Sequence, residues 1–158
     1  MIETWRWFGP TDKVTLNDIR QTGASGIVTS LYHLEPGIVW KKEEISSRLL
    51  EIAGSKSHLT NLSWQVVESL PVSETIKIGS HPRDEHIKAW IESMENLSEL
   101  GINVICYNFM PILDWTRTEL AAPMSNGATA MYFDLLDFIA FDCFILDRMN
   151  AQNDYEKK

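Results

Sequence analysis

Gly26 to Tyr32 reads GIVTSLY, an almost unbroken apolar and β-branched run. A strand with one solvated face alternates apolar and polar residues. A near-continuous run marks a strand covered on both faces, as in parallel sheets wrapped by helices. Three more runs share its character: TWRWF (Thr4–Phe8), WQVVES (Trp64–Ser69) and NVICYNF (Asn103–Phe109). Each is short, rich in Val, Ile, Thr and aromatics, and set apart by polar or glycine-containing segments.

The gaps between the runs carry helical signals. Thr15, with Asp18 three residues on, forms a capping-box pattern for a short helix that Gly23 closes. KKEEISSRLLEIAG places Ile45, Leu49 and Ile52 at helical spacing, with Gly54 as the stop. Ile87, Trp90, Ile91, Met94 and Leu97 recur as an amphipathic stripe that ends at Gly101. Ala128 to Met149 reads as one long apolar helix, and the residues from Asn150 read as a polar tail.

Strand and helix alternating in this way imply βα units and a parallel sheet. An open dinucleotide-binding sheet would carry a glycine-rich turn after its first strand, whereas here that turn is FGPTDK with a single glycine. A closed barrel has eight units and about 250 residues. At 158 residues, the chain is expected to be α/β, its parallel βα units forming the first half of a (β/α)8 TIM barrel. Residues 1–149 would make that half-barrel and 150–158 a polar tail or the start of a linker. Such a half-barrel has two raw edges and a bare inner face.

The net charge of −8 repels phosphate backbones and argues against nucleic-acid partners. The longest apolar stretch, Phe138–Leu146, is interrupted by Asp142 and falls far short of the roughly 20 residues of a membrane span. MIETWRWFG has no basic start and no apolar signal core, which favours a cytoplasmic address. Cys106 and Cys143 lie within apolar runs and read as buried, reduced thiols.

In βα folds, chemistry gathers at the carboxyl ends of the strands. Those positions hold Arg6 and Trp7, then His33, then Glu68, and finally Asn108, Asp114, Trp115 and Arg117. Arg6 between two tryptophans suits a substrate carboxylate, or is simply an arginine stacked on tryptophan as surface packing. His33 reads as a base or as a hydrogen-bonded structural residue, with no neighbouring ligand at metal spacing. An acid at Glu68, closing an apolar strand, implies either function or a salt bridge across the rim. His58, His81 and His86 read as solvated. Of the acids in the last third, Asp134 and Asp137 suit a helix amino terminus, and Asp142 and Asp147 suit a wet face. No phosphate loop, nucleophile elbow or Cys/His metal spacing occurs.

Three stretches carry a family resemblance: TWRWFGPTDKVTLNDIRQTGASGIVTSLYH (Thr4–His33), VVESLPVSETIKIG (Val66–Gly79) and GINVICYNFMPILDWTRTEL (Gly101–Leu120). Together they resemble mannonate dehydratase, as an amino-terminal portion matching to about Tyr155. The resemblance implies a barrel lyase that converts D-mannonate to 2-keto-3-deoxy-D-gluconate in hexuronate (glucuronate) catabolism. It also implies dependence on Mn²⁺ or Fe²⁺. The family's metal ligands lie on later strands, so no metal ligand is expected here, Cys106 included, and the 158 residues alone are expected to be inactive. Arg6, Glu68, Asn108 and Asp114 become the substrate-facing or supporting candidates, with Trp7, His33 and Trp115 behind them. The expected partners are a small sugar acid and, as a homo-oligomer, further copies of the chain, with neither nucleic acid nor membrane. The chain departs from the family at Ser73, where a histidine is usual, and in a longer Gly54–Trp64 connection, expected as a loop at the barrel bottom. The alternatives are a barrel sugar isomerase, or a non-catalytic chain that self-associates through its open sheet edges.

Overall fold

The computed structural model describes residues 1–54, 62–110 and 116–155. His58 and most of the Gly54–Trp64 connection lie outside the described residues, as do Asp114 and Trp115. Contacts divide the chain into two compact units, Met1–Pro111 and Ile112–Lys158.

The first unit alternates strand and helix. Its strands are β1 (Thr4–Arg6), β2 (Gly26–Thr29), β3 (Ser63–Glu68) and β4 (Ile105–Cys106). Its helices are α1 (Leu16–Gln21), α2 (Lys42–Ala53), α3 (Glu74–Ile78) and α4 (Arg83–Glu99). All pairings are parallel and the spatial order is β1-β2-β3-β4. A sheet whose order follows the chain, with no switch point, is wound in one direction, as a barrel wall is; a doubly wound sheet reverses. The expected βα architecture is therefore present, with its two free edges at β1 and β4.

Local chemistry sets the helix ends. Thr15 and Asp18 form the capping box: the Thr15 hydroxyl accepts from the Asp18 N–H while the Asp18 carboxylate accepts from the Thr15 N–H. Gly54 caps α2 with φ +68°, a conformation that costs glycine little. In α4 the buried stripe is Ala89, Ser93 and Leu97, which corrects the predicted face. Trp90 and Met94 pack partly against the core, and Ile87 and Ile91 are exposed. Ser93 explains the rotation, because its Oγ accepts from the Trp40 N–H at 2.9 Å and donates to the Ala89 carbonyl at 2.6 Å. Small residues let α4 approach close enough to satisfy a buried backbone group that larger side chains would hold off.

The core lies between the helices and one face of the sheet. Ile27, Val67, Ile19, Ile45, Ile52 and Leu97 are each fully buried. The opposite face is barer: Val28, Val66 and Glu68 are half-buried, and Arg6 and Cys106 are exposed. A bulge in β3 at Gln65 shifts the register between Ile27 and Val28.

The second unit departs from the single helix expected over Ala128–Met149. β5 (Glu119–Pro123) and β6 (Thr129–Tyr132) form an antiparallel hairpin. Helix α5 (Leu135–Ala140) begins only after Asp134, whose carboxylate accepts from the Leu136 and Asp137 N–H groups. A π-helical turn spans Phe141–Ile145, left-handed residues follow at Asp147 and Asn150, and α6 spans Ala151–Tyr155. Asn126-Gly127 is a hairpin signal that outweighs the apolar content after it, and Gly127 takes φ +83°. Asp142, expected on a wet face, is 3% exposed. Arg148 grips both its carboxylate oxygens at 2.8–3.2 Å, and the Tyr155 hydroxyl donates to it at 2.7 Å. The Arg148 and Tyr155 hydrogen bonds hold the Asp142 carboxyl below the usual range.

Candidate active-site rim

At the carboxyl ends of the strands the bare face becomes polar. Arg6 aligns with Val28, and Val28 with Val66. Two residues further along β3, on the same face, stands Glu68, whose register partner is Cys106. Period-two geometry thus brings Arg6, Glu68 and Cys106 to one surface. Arg6 Nη1 donates to Glu68 Oε1 at 3.1 Å, with both side chains about half exposed. The Arg6 guanidinium also lies 4.8 Å from the centre of the Phe8 ring, a cation–π distance. Phe8 in turn stands 5.9 Å from Tyr32. The Tyr32 hydroxyl donates to the Glu68 carbonyl at 3.4 Å, and Ser30 Oγ to the Ser69 carbonyl at 2.7 Å. These bonds fasten the end of β3 to that of β2.

The salt-bridge reading of Glu68 matches this pair, while the Arg6 guanidinium stacks on Phe8 rather than on a neighbouring tryptophan. With a single Glu68 oxygen engaged, the guanidinium keeps donors for an anion, and the carboxylate keeps acceptor capacity for hydroxyls.

The other candidates lie apart from this pair. Trp7 is 3% exposed on the helix side, with the Arg48 guanidinium 5.2 Å from its ring centre. His33 faces α2, its Nε2 3.0 Å from Glu44 Oε2. Asn108 is exposed beyond β4. Sequence reasoning overlooked Phe8 and Tyr32, which form the aromatic wall, and Glu44, which looks like ordinary first-turn acid until the fold brings it to His33.

Two further expectations are corrected. His86, expected in solvent, is half-buried, and its Nδ1 lies 2.8 Å from Ser73 Oγ and 2.9 Å from Thr75 Oγ1. The Ser73 hydroxyl is thereby diverted from capping α3. Cys106 is exposed and Cys143 half-buried, both as free thiols rather than buried ones.

The loop that carries Phe8 is built around Asp12. Its carboxylate accepts from the Phe8 N–H at 2.8 Å and the Val14 N–H at 3.0 Å, and these bonds lower its pKa below the usual carboxylate range. Among the described residues, no three His, Cys, Asp or Glu side chains converge to hold a metal ion, and no helix is long and apolar enough to cross a membrane.

Residues 1–155 match the family described as D-mannonate dehydratase (UxuA). The chain belongs to this family. It is 49% identical over 158 residues to a mannonate dehydratase of Chromohalobacter salexigens, covering 99% of this chain and 39% of the relative. It is 51% identical over 155 residues to mannonate dehydratase 1 of Agrobacterium fabrum, covering 98% and 37%. The crystal structure of mannonate dehydratase from Streptococcus suis serotype2 superposes with a TM-score of 0.75 at 39% identity, covering 84% of this chain and 37% of that one. The chain thus spans under two fifths of these relatives' length. Its singly wound sheet is the amino-terminal part of a TIM-barrel-like fold, and membership makes it part of a lyase family.

Proposed function

We propose that the chain supplies the amino-terminal half-barrel of an enzyme that dehydrates D-mannonate to 2-keto-3-deoxy-D-gluconate in cytoplasmic glucuronate catabolism. Residues 1–149 form that half and 150–158 its exit. The Arg6–Glu68 pair carries the reading, because a sugar acid presents one carboxylate and several hydroxyls. The Arg6 donors left free by Glu68 hold the carboxylate, and Glu68 both fixes the guanidinium and accepts from a substrate hydroxyl. Phe8 and Tyr32 wall the pair and exclude water from one side. Asn108 faces substrate from beyond β4. Asp114 and Trp115 join the set on the sequence argument alone, while Trp7 and His33 support the rim through Arg48 and Glu44. The two free thiols suit a reducing compartment.

The described residues do not form a donor set for Mn²⁺ or Fe²⁺, so we assign them no step through an ion. The ligands are proposed to lie in the part of the relatives that this chain does not span. The isolated 158 residues are accordingly expected to lack dehydratase activity.

The test is product analysis. The chain is fused to the remaining carboxyl-terminal length of the Chromohalobacter relative and incubated with D-mannonate and Mn²⁺. A 2-keto-3-deoxy acid is expected, and Arg6→Ala should raise KM by about tenfold or more, as loss of a charge-assisted contact does. An isomer formed without loss of water would instead establish a sugar isomerase.

A further inference from the structure

Arg48 is a buried charge on the helix side of the sheet, whereas the Arg6–Glu68 pair lies on the other face. It stands on α2 with its side chain 7% exposed, and Glu51 lies 3.4 Å from its Nε. Its Nη1 is enclosed and has no hydrogen-bond partner among the described residues. Burying a guanidinium so sparsely paired costs stability, and an apolar side chain of similar length would fill the space without that cost. Packing alone therefore does not account for Arg48.

What the guanidinium touches is the turn after β1. It lies 5.2 Å from the centre of the Trp7 ring, a cation–π distance. It also lies close against Gly9, where an added Cβ would stand 2.9 Å from Nη1 and 3.7 Å from Cζ and Nη2. Gly9 takes φ +92°, a conformation open to glycine, and without a Cβ its backbone can come this near. Arg48 thus holds the residues on both sides of Phe8. Side chains alternate here as along a strand: Trp7 is buried, while Arg6 and Phe8 are exposed. The Trp7 N–H continues the strand pairing, donating to the Val28 carbonyl at 3.0 Å, and the Phe8 N–H donates to Asp12 at 2.8 Å. With its neighbours fixed from behind, the Phe8 ring is set against Arg6, 4.8 Å from the guanidinium.

We infer that Arg48 is a positioning residue. By holding the Trp7–Gly9 turn from the helix side it sets Phe8, and through Phe8 it sets the Arg6 guanidinium that receives the substrate carboxylate. The inference rests on the role proposed above for Arg6, and adds to it a residue that touches neither the substrate nor the Arg6–Glu68 pair. A small misplacement of a binding group is enough to weaken a reaction, so the buried charge serves the rim from the opposite face.

The experiment has two arms. In ¹H–¹⁵N spectra of the 158-residue chain, Arg48→Met should shift the Phe8 amide and the Arg6 Nε–H while the Ile27 and Leu97 amides stay in place. Gly9→Ala, which crowds the guanidinium from the loop side, should shift the same two signals. In the fusion with the carboxyl-terminal length of the Chromohalobacter relative, Arg48→Met should raise KM for D-mannonate about fivefold at nearly constant kcat. A merely structural loss would lower kcat with the folded fraction and leave KM alone. In an Arg6→Ala background the same substitution should leave KM within about twofold, because its route to the substrate is gone. Unmoved Phe8 and Arg6 signals in both variants, a fall in kcat at unchanged KM, or a rise in KM that persists without Arg6 would each overturn the inference. A parent fusion that forms no product would defeat the role of Arg6 instead, and the spectra would still decide whether Arg48 sets Phe8.

Discussion

Met1–Pro111 and Ile112–Lys158 are held together by different physics. In the first, helices bury one face of a parallel sheet, and Ile19, Ile27, Ile45, Ile52, Val67 and Leu97 are sealed from solvent. In the second, every residue of β6 is exposed, and the buried residues among those described are Asp142 and Ala151. A two-stranded ribbon is marginal by itself. What organises the second unit is directional bonding: Asp134 caps α5, and Asp142 gathers Arg148 and Tyr155. Burial is tolerant of detail and scales with area, whereas a polar cluster depends on each partner and on pH.

The largest expected effect tests the first side of this contrast. Leu97→Ala should cost about 2–5 kcal/mol in urea unfolding, the range for a fully buried leucine. A cost near zero would mean that α4 is not seated on the sheet. Thr15→Ala removes half of the capping box and should cost about 1 kcal/mol in the same assay.

The second side is best sharpened by pH. The folded Asp142 carboxyl sits below the ordinary aspartate value of 3.8 because Arg148 and Tyr155 bond to it. Its stabilisation is therefore complete above that value and lost as pH falls through the lowered one. Tyr155 is raised above its ordinary 10.0, first through its bond to Asp142, so its contribution is present below 10.0 and lost as pH rises through the raised value. Followed by NMR, signals of Ala151–Tyr155 should lose order at both extremes, and Asp142→Asn should abolish the acid limb. An unchanged acid limb in that variant would show that the cluster does not hold the unit. Smallest of all, Leu136→Ala, at a side chain 76% exposed, should stay within about 0.5 kcal/mol of the parent.

The same contrast explains what could be read from sequence. GIVTSLY and its three companions are near-continuous apolar runs that follow from burial, and Thr15/Asp18 is a local bond, so the strands, their parallel βα connection and α1 were legible. The face of α4 was not, because Ala89 and Ser93 are small and carry no hydrophobic signal; their value lies in close approach to Trp40. The second unit was misread because its apolar residues do not face a core. Phe144, Ile145 and Met149 are each at least three-quarters exposed, so periodicity there pointed at nothing. At the rim, Arg6 and Glu68 were visible as charges out of place in apolar strands. Phe8, Tyr32 and Glu44 became visible only once the strand order set them side by side.

The central claim is that these residues furnish one wall of a dehydratase whose ion is held elsewhere. The most direct measurement assays D-mannonate with Mn²⁺ against the 158-residue chain alone, then after adding the carboxyl-terminal part of the Chromohalobacter relative as a separate polypeptide. The account predicts no 2-keto-3-deoxy-D-gluconate from the chain alone and its formation once the second part is present. Formation of that product by the chain alone would contradict the account.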